Sequence, residues 1–358
     1  MTNLSTMTGS SEKEEPGLLM MELQTINLAL LQSQTPNEVQ KLLEACRRDG
    51  FFYLDLRDIE QVNQKVAPVL EKMYQLMEDL YNLTTEEKML YDIDKISEMK
   101  SNGYATSLWV ETLGDWQVSK MVLRHTHQIP KNAVMGLSGR GDFPRPAVIN
   151  QHMETLRGLS KFIHLATWTI MDSLSRSLGL PESENFNTFH RPTAPSPDII
   201  RLLKYHPQLI EERGFPHAAH TDLGSLTFLF TRQPGLQVLS SDSGKWEWVQ
   251  PKEGHAIVNL GDGMSLLTNG FLRSCLHRVG PLPNQAMPTR YSFAYLVRPE
   301  EHTSMTGLNS AFIPAPDQNE PVYDAGEWLK KKYGVLRLGT RQEGQDWVLT
   351  GRQSELPH

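Results

Sequence analysis

Two stretches decide the fold of this chain, AHTDLGSLTFLF at residues 219–230 and HRVGPLPNQAMPTRYSFAYLVRP at residues 277–299. Each holds a short run of β-branched and aromatic residues bounded by Gly, Pro or Asn, which is the pattern of a strand between turns. Similar runs occur throughout the second half of the chain: DIIRLLKYH, SLTFLF, GLQVLS, KWEWVQ, HAIVNLGD, RSCLHRV and RYSFAYLV. This spacing predicts an antiparallel sandwich or barrel.

Helical patterns flank the strands. Residues 36–46 carry apolar side chains at helical spacing, and Gly50 stands where a helix cap belongs, before an apolar strand that begins at Phe51. Helical periodicity also spans residues 59–83, 148–178 and 324–336. The chain is therefore expected to be mainly β with helical additions.

Composition and charge narrow the class of protein. Of 358 residues, 39% are hydrophobic and 22% charged, which excludes collagen-like, coiled-coil and mostly disordered chains. The net charge of -7 offers no basic surface to a phosphate backbone, so no nucleic-acid partner is expected. Two cysteines, no signal-peptide pattern and no long apolar run predict a cytoplasmic protein that does not span a membrane. The sequence leaves monomer and homodimer equally open.

Potential metal ligands lie within the two quoted stretches. His220 and Asp222 stand at positions i and i+2, which point to the same face of an extended strand. In a chain of 12 histidines, such a pair alone is weak evidence for a metal site. His277 strengthens this evidence because it supplies a second imidazole. Two imidazoles and one carboxylate on one face of a ferrous ion leave positions open for a cosubstrate and dioxygen, which a four-ligand zinc site does not.

An anion clamp follows the second histidine. Arg290 and Ser292 are again at i and i+2, and a guanidinium with a hydroxyl on one strand face could bind the distal carboxylate of a 2-oxo acid. The alternative is a solvated arginine in an ordinary surface ion pair. If the guanidinium is buried, its burial would be poorly explained without an anion.

These residues, in this order, resemble the 2-oxoglutarate- and Fe(II)-dependent dioxygenases of the isopenicillin N synthase-like family, and in particular its fungal members. The family pattern of HxD, a distal His and RxS matches His220, Asp222, His277, Arg290 and Ser292. The strings ACRRDGFFYL, PGLQV and NLGD match as well. The resemblance implies a double-stranded β-helix, or jelly roll, flanked by N-terminal helices. It implies that the two histidines and the aspartate hold Fe(II) and are catalytic, with 2-oxoglutarate and O2 as cosubstrates.

The resemblance also implies a reaction. The protein would oxidise a C–H bond of a small specialised metabolite, by hydroxylation or by desaturation, cyclisation or ring rearrangement, and release succinate and CO2. One alternative is an oxidase of the isopenicillin N synthase type, which uses Fe(II) and O2 without 2-oxoglutarate. Another is a catalytically silent protein that binds a small acid on the same fold. Release of succinate distinguishes the first alternative, and iron-dependent O2 consumption the second.

One motif departs from the family. Relatives often carry Asn-Tyr-Tyr-Pro upstream of the first ligand, where this chain has KYHP at residues 204–207. The resemblance implies a cosubstrate contact from Tyr205 or His206 and leaves the choice between them open. His217 lies three residues before His220, an odd offset that does not share a strand face, and is expected in a loop or in the lining of the substrate pocket.

Candidate substrate contacts come from the N-terminal half. The segment SNGYATSLWVETLGDWQVSK resembles the region that lines the substrate entrance in relatives, which makes Ser101, Tyr104 and Trp109 candidates. Core packing is the alternative for the aromatic residues. The expected organisation is a disordered tail at residues 1–16, a helix-rich region at 17–195, the β-helix core at 196–300, and a C-terminal helix and tail at 301–358. No repeat or linker divides them, so one integrated catalytic unit is expected.

Overall fold

The computed structural model describes residues 18–57, 66–92, 95, 103–109, 116–124, 137–138, 141–142, 144–191, 194, 197–210, 217–315 and 321–335. Strands between residues 103 and 142 are described by their backbone alone. Among the described helices, none has both the length and the hydrophobicity to cross a bilayer.

The strands of the described residues form three sheets. They are β1 Thr25–Asn27, β2 Phe51–Asp55, β3 Gly103–Trp109, β4 Trp116–Arg124, β5 Leu137–Ser138, β6 Gly141–Asp142, β7 Ile199–Tyr205, β8 His217–His220, β9 Leu226–Thr231, β10 Leu236–Leu239, β11 Trp246–Val249, β12 His255–Leu260, β13 His277–Val279 and β14 Arg290–Val297.

Helices of the described residues precede, interrupt and follow these strands. They are α1 Leu28–Gln32, α2 Pro36–Arg48, α3 Val66–Asn82, α4 Thr85–Met89, α5 Ala147–Gln151, α6 Met153–Ser177, α7 Asp262–Leu267 and α8 Ala325–Val335, with 3-10 turns at Glu182–Glu184 and Phe186–Phe189.

Two sheets form the jelly-roll core. The major sheet has eight strands in the order β1-β2-β12-β9-β14-β7-β4-β3, and the minor sheet has four in the order β11-β10-β13-β8. All neighbours are antiparallel except β1 and β2. Apolar side chains from both sheets, among them Phe51, Leu203, Val238 and Val279, pack into one cluster between them. The expected jelly roll with flanking helices is confirmed.

The major sheet is covered on both faces, and its strands show this in their composition. In β2 all five residues are buried, with Phe52 and Leu54 in the cluster that contains the helices and with Phe51 and Tyr53 in the cluster between the sheets. A strand buried on both faces carries a continuous apolar run rather than an alternating one. The apolar run that begins at Phe51 therefore packs against apolar side chains on both faces of the major sheet.

The transition from α2 to β2 confirms the predicted glycine cap. The helix ends at Arg48, and the backbone N–H of Gly50 donates to the carbonyl of Ala45 at 2.9 Å. Gly50 has a φ of +65°, and a Cβ at this position would lie 2.2 Å from the carbonyl oxygen of Arg273. Glycine is therefore required here by both backbone conformation and space.

The structure differs from the sequence predictions in the N-terminal half. The helix predicted over residues 59–83 is described as α3, with residues 58–65 outside the described part, and the run over 148–178 divides at His152 into α5 and α6. Residues 25–124 supply β1 to β4 to the major sheet, so its strands are not confined to the segment 196–300. β3 and β4 were not predicted as strands; they form a hairpin that pairs with β7.

One of the two expectations for His217, a place in a loop, is wrong, and the other, a place in the lining of the substrate pocket, stays a prediction. His217 begins β8 and pairs with Val279 of β13, so its backbone lies in a strand rather than a loop. The short motif HAAH has no strong strand propensity of its own, and pairing with β13 supplies its hydrogen bonds instead.

Candidate active site

Two histidines face each other across the minor sheet. His220 is the last residue of β8 and pairs with His277, the first residue of β13. Their ring centroids lie 4.4 Å apart. Directly opposed residues on neighbouring strands lie close enough for their side chains to act together. Strand pairing therefore brings together two imidazoles that are far apart in the sequence.

Asp222 completes a cluster of three potential metal ligands. It lies just beyond the end of β8, where its Oδ1 is 3.8 Å from Nε2 of His220 and its Oδ2 is 3.9 Å from Nε2 of His277. One ligand atom from each of the three residues lies within 4.8 Å of the other two. Two imidazoles and one carboxylate in this arrangement fit a ferrous ion with open coordination positions.

Neighbouring polar groups fix the carboxylate of Asp222. Its Oδ2 accepts hydrogen bonds from Thr227 Oγ1 at 2.6 Å and Asn259 Nδ2 at 2.9 Å. Burial alone would raise the pKa of Asp222, but the two histidines and these hydrogen bonds hold it below the ordinary value. Asp222 is thus kept ionised and oriented. Thr227 and Asn259 were not predicted as site residues from the sequence, although Asn259 belongs to the matching NLGD string.

The orientation of His277 is set by the backbone. Its Nδ1 lies 3.2 Å from the carbonyl oxygen of Cys275, and a proton on Nδ1 donated to that carbonyl leaves Nε2 free on the side of Asp222. The ring of Phe51 packs edge-on against the imidazole at a centroid distance of 5.5 Å. Such fixing of tautomer and ring plane is typical of histidines that bind metals.

A buried lysine from the C-terminal helix supports the segment that carries His220 and Asp222, two of the three potential ligands. Lys332 of α8 is fully buried, pairs with the carboxylate of Asp262 and donates to Thr221 Oγ1 at 2.6 Å. Thr221 lies between two of the clustered residues. The backbone N–H of Asp262 also donates to the carbonyl of Asp222 at 2.7 Å. Nothing in the helical pattern of residues 324–336 marked Lys332 as part of the site.

The three potential ligands line a cavity between the sheets. It has a volume of about 550 Å³, part of which is open to solvent, and its lining is mostly apolar with polar groups at a few positions. The lining residues are Phe51, Arg201, Leu203, Tyr205, His220, Asp222, Thr227, Leu229, Leu236, Asn259, His277, Val279, Arg290, Ser292, Ala294 and Leu296. A mostly apolar lining with a few convergent polar groups is typical of small-molecule sites.

Arg290 is a buried cation with an unused donor. The residue is 2% exposed, its Nη1 donates to Ser292 Oγ at 3.3 Å, and its Nε donates to the carbonyl of Pro234 at 3.2 Å. Its buried Nη2 has no acceptor among the described residues. Burial lowers the pKa of Arg290. An unpartnered guanidinium nitrogen in a cavity is costly unless an anion binds there.

Tyr205, rather than His206, lines this cavity. The guanidinium carbon of Arg290 lies 4.9 Å from the Tyr205 ring centre, and both residues line the cavity. Burial raises the pKa of Tyr205, which keeps its hydroxyl neutral. His206 follows the end of β7, is half-buried and is not among the lining residues; burial and the nearby Lys204 lower its pKa.

None of the three candidate substrate residues has a described side chain. Ser101 lies outside the described residues, and Tyr104 and Trp109 are placed only as backbone positions of β3. β3 pairs with β4, and β4 with β7. A different residue, Arg201 of β7, lines the cavity directly, and the sequence analysis did not select it.

Comparison with known proteins identifies the family. The profile of the 2OG-Fe(II) oxygenase superfamily matches residues 197–299, and that of the N-terminal region of a non-haem dioxygenase in morphine synthesis matches residues 23–136. The 2-oxoglutarate-dependent dioxygenase frbH of Dothideomycetidae sp. is 33% identical over 92% of this chain and 95% of its own. This chain belongs to the 2-oxoglutarate- and Fe(II)-dependent oxygenases. The 2-oxoglutarate-dependent dioxygenase gloE of Glarea lozoyensis is 30% identical to this oxygenase over 93% of this chain and 94% of its own.

Solved structures share the fold of this oxygenase. A full-length Neurospora crassa protein in complex with alpha-KG superposes with a TM-score of 0.70 at 20% identity, covering 89% of this chain and 97% of that one. The rice dioxygenase for auxin oxidation superposes with a TM-score of 0.65 at 20% identity, covering 92% and 99%. As a member of its family, this oxygenase uses Fe(II), 2-oxoglutarate and O2, and it oxidises a small molecule.

Proposed function

We propose that this enzyme oxidises a C–H bond of a small specialised metabolite at Fe(II) held by His220, Asp222 and His277. The proposal rests on one observation, that two features occur together in the same cavity. One is a compact donor set, with its ligand atoms within 4.8 Å of one another, and the other is the buried Nη2 of Arg290 without an acceptor among the described residues. The first fits ferrous iron and the second fits an organic anion.

The cosubstrate site in this proposal is built from β7 and β14. Arg290 and Ser292 lie on the inner face of β14, and Arg290 pairs in register with Tyr205 of β7. The three side chains offer a guanidinium and two hydroxyls to the distal carboxylate of 2-oxoglutarate. Tyr205 is chosen over His206 because it lines the cavity and His206 does not.

The residues of the site have separable tasks. Asp222 remains ionised through the hydrogen bonds of Thr227 and Asn259, and so presents an anionic ligand to the metal. Bound Fe(II) would couple the oxidative decarboxylation of 2-oxoglutarate by O2 to oxidation of the substrate, with release of succinate and CO2. Apolar residues such as Leu229 and Leu236 keep water away from the reacting groups.

The substrate class is supported by the relatives. Several fungal relatives are named 2-oxoglutarate-dependent dioxygenases, and the similarity covers nearly their whole length. A small metabolite in the cytoplasm, rather than a nucleic acid or a membrane lipid, is part of the proposal. Two buried free cysteines agree with a reducing compartment. Hydroxylation, desaturation, cyclisation and ring rearrangement all use the same ligand set.

The proposal is tested by anaerobic titration of the apoprotein with Fe(II) and then 2-oxoglutarate. Chelation of the metal by the 2-oxo acid produces a weak charge-transfer absorption band, which needs no substrate. We expect the band in the wild type, its loss in Asp222→Ala, and at least a tenfold weaker affinity for 2-oxoglutarate in Arg290→Gln. Arg176→Gln, which removes a cation from the exposed part of α6, serves as the matched control. Iron binding without a band would contradict the use of 2-oxoglutarate, and no iron binding would contradict the metal site.

A further inference from the structure

A second guanidinium lines the cavity. Arg201 lies in the middle of β7, on the same face as Leu203 and Tyr205, both of which also line the cavity. Its Nε is buried and has no hydrogen-bond acceptor among the described residues. The described ion pairs do not include Arg201. A buried guanidinium N–H without an acceptor is unfavourable in the free protein.

No protein carboxylate in the lining is available to Arg201. Among the described lining residues Asp222 is the one carboxylate, and it is already engaged by Thr227, Asn259 and the two histidines. The other lining side chains are apolar groups, hydroxyls, the amide of Asn259, the two imidazoles and the guanidinium of Arg290, so none of them is an anion. Among the described lining residues none offers a free anionic acceptor to Arg201, which points to a bound molecule as the acceptor.

We propose that Arg201 binds an ionised carboxylate on the primary substrate, so that the metabolite oxidised here is an organic acid. The inference rests on the proposed function, because it assigns a chemical class to the substrate of that same site. A guanidinium prefers planar, bidentate partners, and an ionised carboxylate is such a group.

The strand register separates Arg201 from the cosubstrate clamp. Tyr205 pairs with Arg290, whereas Arg201 pairs with Ala294, four residues further along both strands. Four residues of extended chain correspond to roughly 13 Å. Ala294 also pairs with Leu229, next but one to Thr227, which holds Asp222. Arg201 thus stands near the metal end of the cavity, where the substrate must meet the reacting centre, and not at the Arg290 end.

The charges lead to the same assignment. Fe(II) and Arg290 together balance the two carboxylates of 2-oxoglutarate and the carboxylate of Asp222. The cation of Arg201 is left over in a mostly apolar cavity. A substrate with one carboxylate neutralises it, whereas a neutral substrate leaves the charge of Arg201 without a counter-ion in the cavity. This difference gives the site a means of discriminating acids from their neutral analogues.

The experiment compares the affinity of the enzyme, with Fe(II) and 2-oxoglutarate bound, for carboxylic acids and for their neutral amides. The ratio of the two affinities is the acid preference. Anaerobic protein with Fe(II) and 2-oxoglutarate is titrated calorimetrically with aliphatic and aromatic monocarboxylates of graded length, each compared with its own carboxamide. We expect the wild type to bind at least one acid roughly ten- to a hundred-fold more tightly than its amide, as for a charge-assisted hydrogen bond. Arg201→Gln should lose this preference, and Arg201→Lys should retain part of it.

Lys204→Gln is the matched control. It removes one cation from the same strand, but Lys204 packs over the rings of Tyr81 and Tyr291 on the opposite face, so its loss should leave the acid preference intact. The affinity for 2-oxoglutarate, read from the charge-transfer band, should change less than threefold in Arg201→Gln. In the apoprotein, Arg201→Met should unfold at the same or a higher urea concentration than the wild type, because the arginine has no partner to lose.

Four results would decide against the inference. The wild type could show no acid preference, or Arg201→Gln could keep the preference. Arg201→Gln could instead weaken 2-oxoglutarate binding as strongly as Arg290→Gln, which would place Arg201 in the cosubstrate site. A lower urea midpoint for Arg201→Met would indicate a structural role. In each case a normal charge-transfer band in the wild type leaves the proposed function standing, whereas failure of that band overturns the proposed function itself.

Discussion

Replacement of Lys332 by methionine should destabilise the protein and weaken its metal site together. Lys332 and Asp262 are both fully buried and form an ion pair, and Lys332 also donates to Thr221. Lys332→Met conserves volume but leaves the Asp262 carboxylate without its cation. Removing one partner of a buried pair costs about 3–5 kcal/mol. Asp262 keeps a hydrogen bond from Ser274 at 2.9 Å, so we expect the lower part of that range, about 3 kcal/mol.

The loss caused by Lys332→Met should be a large fraction of the total free energy of unfolding. Domains are stable by about 5–15 kcal/mol, so a loss near 3 kcal/mol is readily resolved in urea unfolding followed by circular dichroism. The double variant Lys332→Met with Asp262→Asn should recover at least half of it, because no unpaired charge remains. Since Thr221 separates two of the proposed ligands, Fe(II) affinity should fall about tenfold, as is usual when support behind a metal ligand is removed.

A neighbouring lysine provides the control. Lys330 is exposed on the same helix, so Lys330→Met should change stability by no more than about 0.5 kcal/mol. The reasoning would be refuted if Lys332→Met lay within about 1 kcal/mol of the wild type, or if the double variant were no more stable than the single one. Unchanged Fe(II) affinity in a folded Lys332→Met protein would show that the lysine supports α8 alone.

Three other predictions follow from the described contacts. Asn259→Leu removes a hydrogen bond to Asp222 and should raise the dissociation constant for Fe(II) about 10- to 100-fold, measured by competition with a chelator; an unchanged constant would mean that the carboxylate needs no such support. Gly50 and Gly244 both have a φ of +65°, but a Cβ at Gly50 would lie 2.2 Å from a carbonyl oxygen, whereas Gly244 has nothing within 4 Å. Gly50→Ala should therefore cost about 2 kcal/mol more in urea unfolding than Gly244→Ala, and equal costs would contradict the steric argument. Burial raises the pKa of Tyr53 to about 12 from an ordinary value near 10, so its stabilising contribution is complete below pH 10 and is lost as the pH rises towards 12. At pH 11 the wild type should have lost about 1.4 kcal/mol that Tyr53→Phe does not lose, and parallel pH profiles of the two proteins would exclude this assignment.

The β core and the candidate ligands could be predicted because their signals are local. Each strand run in the second half of the chain has turn residues at its ends, and all seven runs appear as strands. The motifs HxD and RxS place side chains two residues apart, which fixes their common face without knowledge of the fold. The glycine cap at Gly50 could be predicted for the same reason, since the helix, the cap and the strand are adjacent in the sequence.

The site residues that could not be predicted depend on contacts with residues far away in the sequence. Arg201 lies within the apolar run DIIRLLKYH, and its importance appears only when β14 and the cavity lie beside it. Lys332 is one of three consecutive lysines in α8, and burial alone distinguishes it from its exposed neighbour Lys330. The choice between Tyr205 and His206 likewise required the register of β7, because a shift of one residue moves a side chain to the other face of the sheet.

The position of β2 has a consequence for the life of the protein in the cell. Phe51 pairs with Asn259 and packs on His277, which the ribosome adds 226 residues after Phe51. At about 5–20 residues per second, this delay is roughly 10–45 seconds. For most of that time β2 can pair with β1, which precedes it in the chain, but its other edge lacks β12 and is exposed to pairing with other chains. The newborn chain should therefore depend on chaperones that protect this edge until its last third has been synthesised.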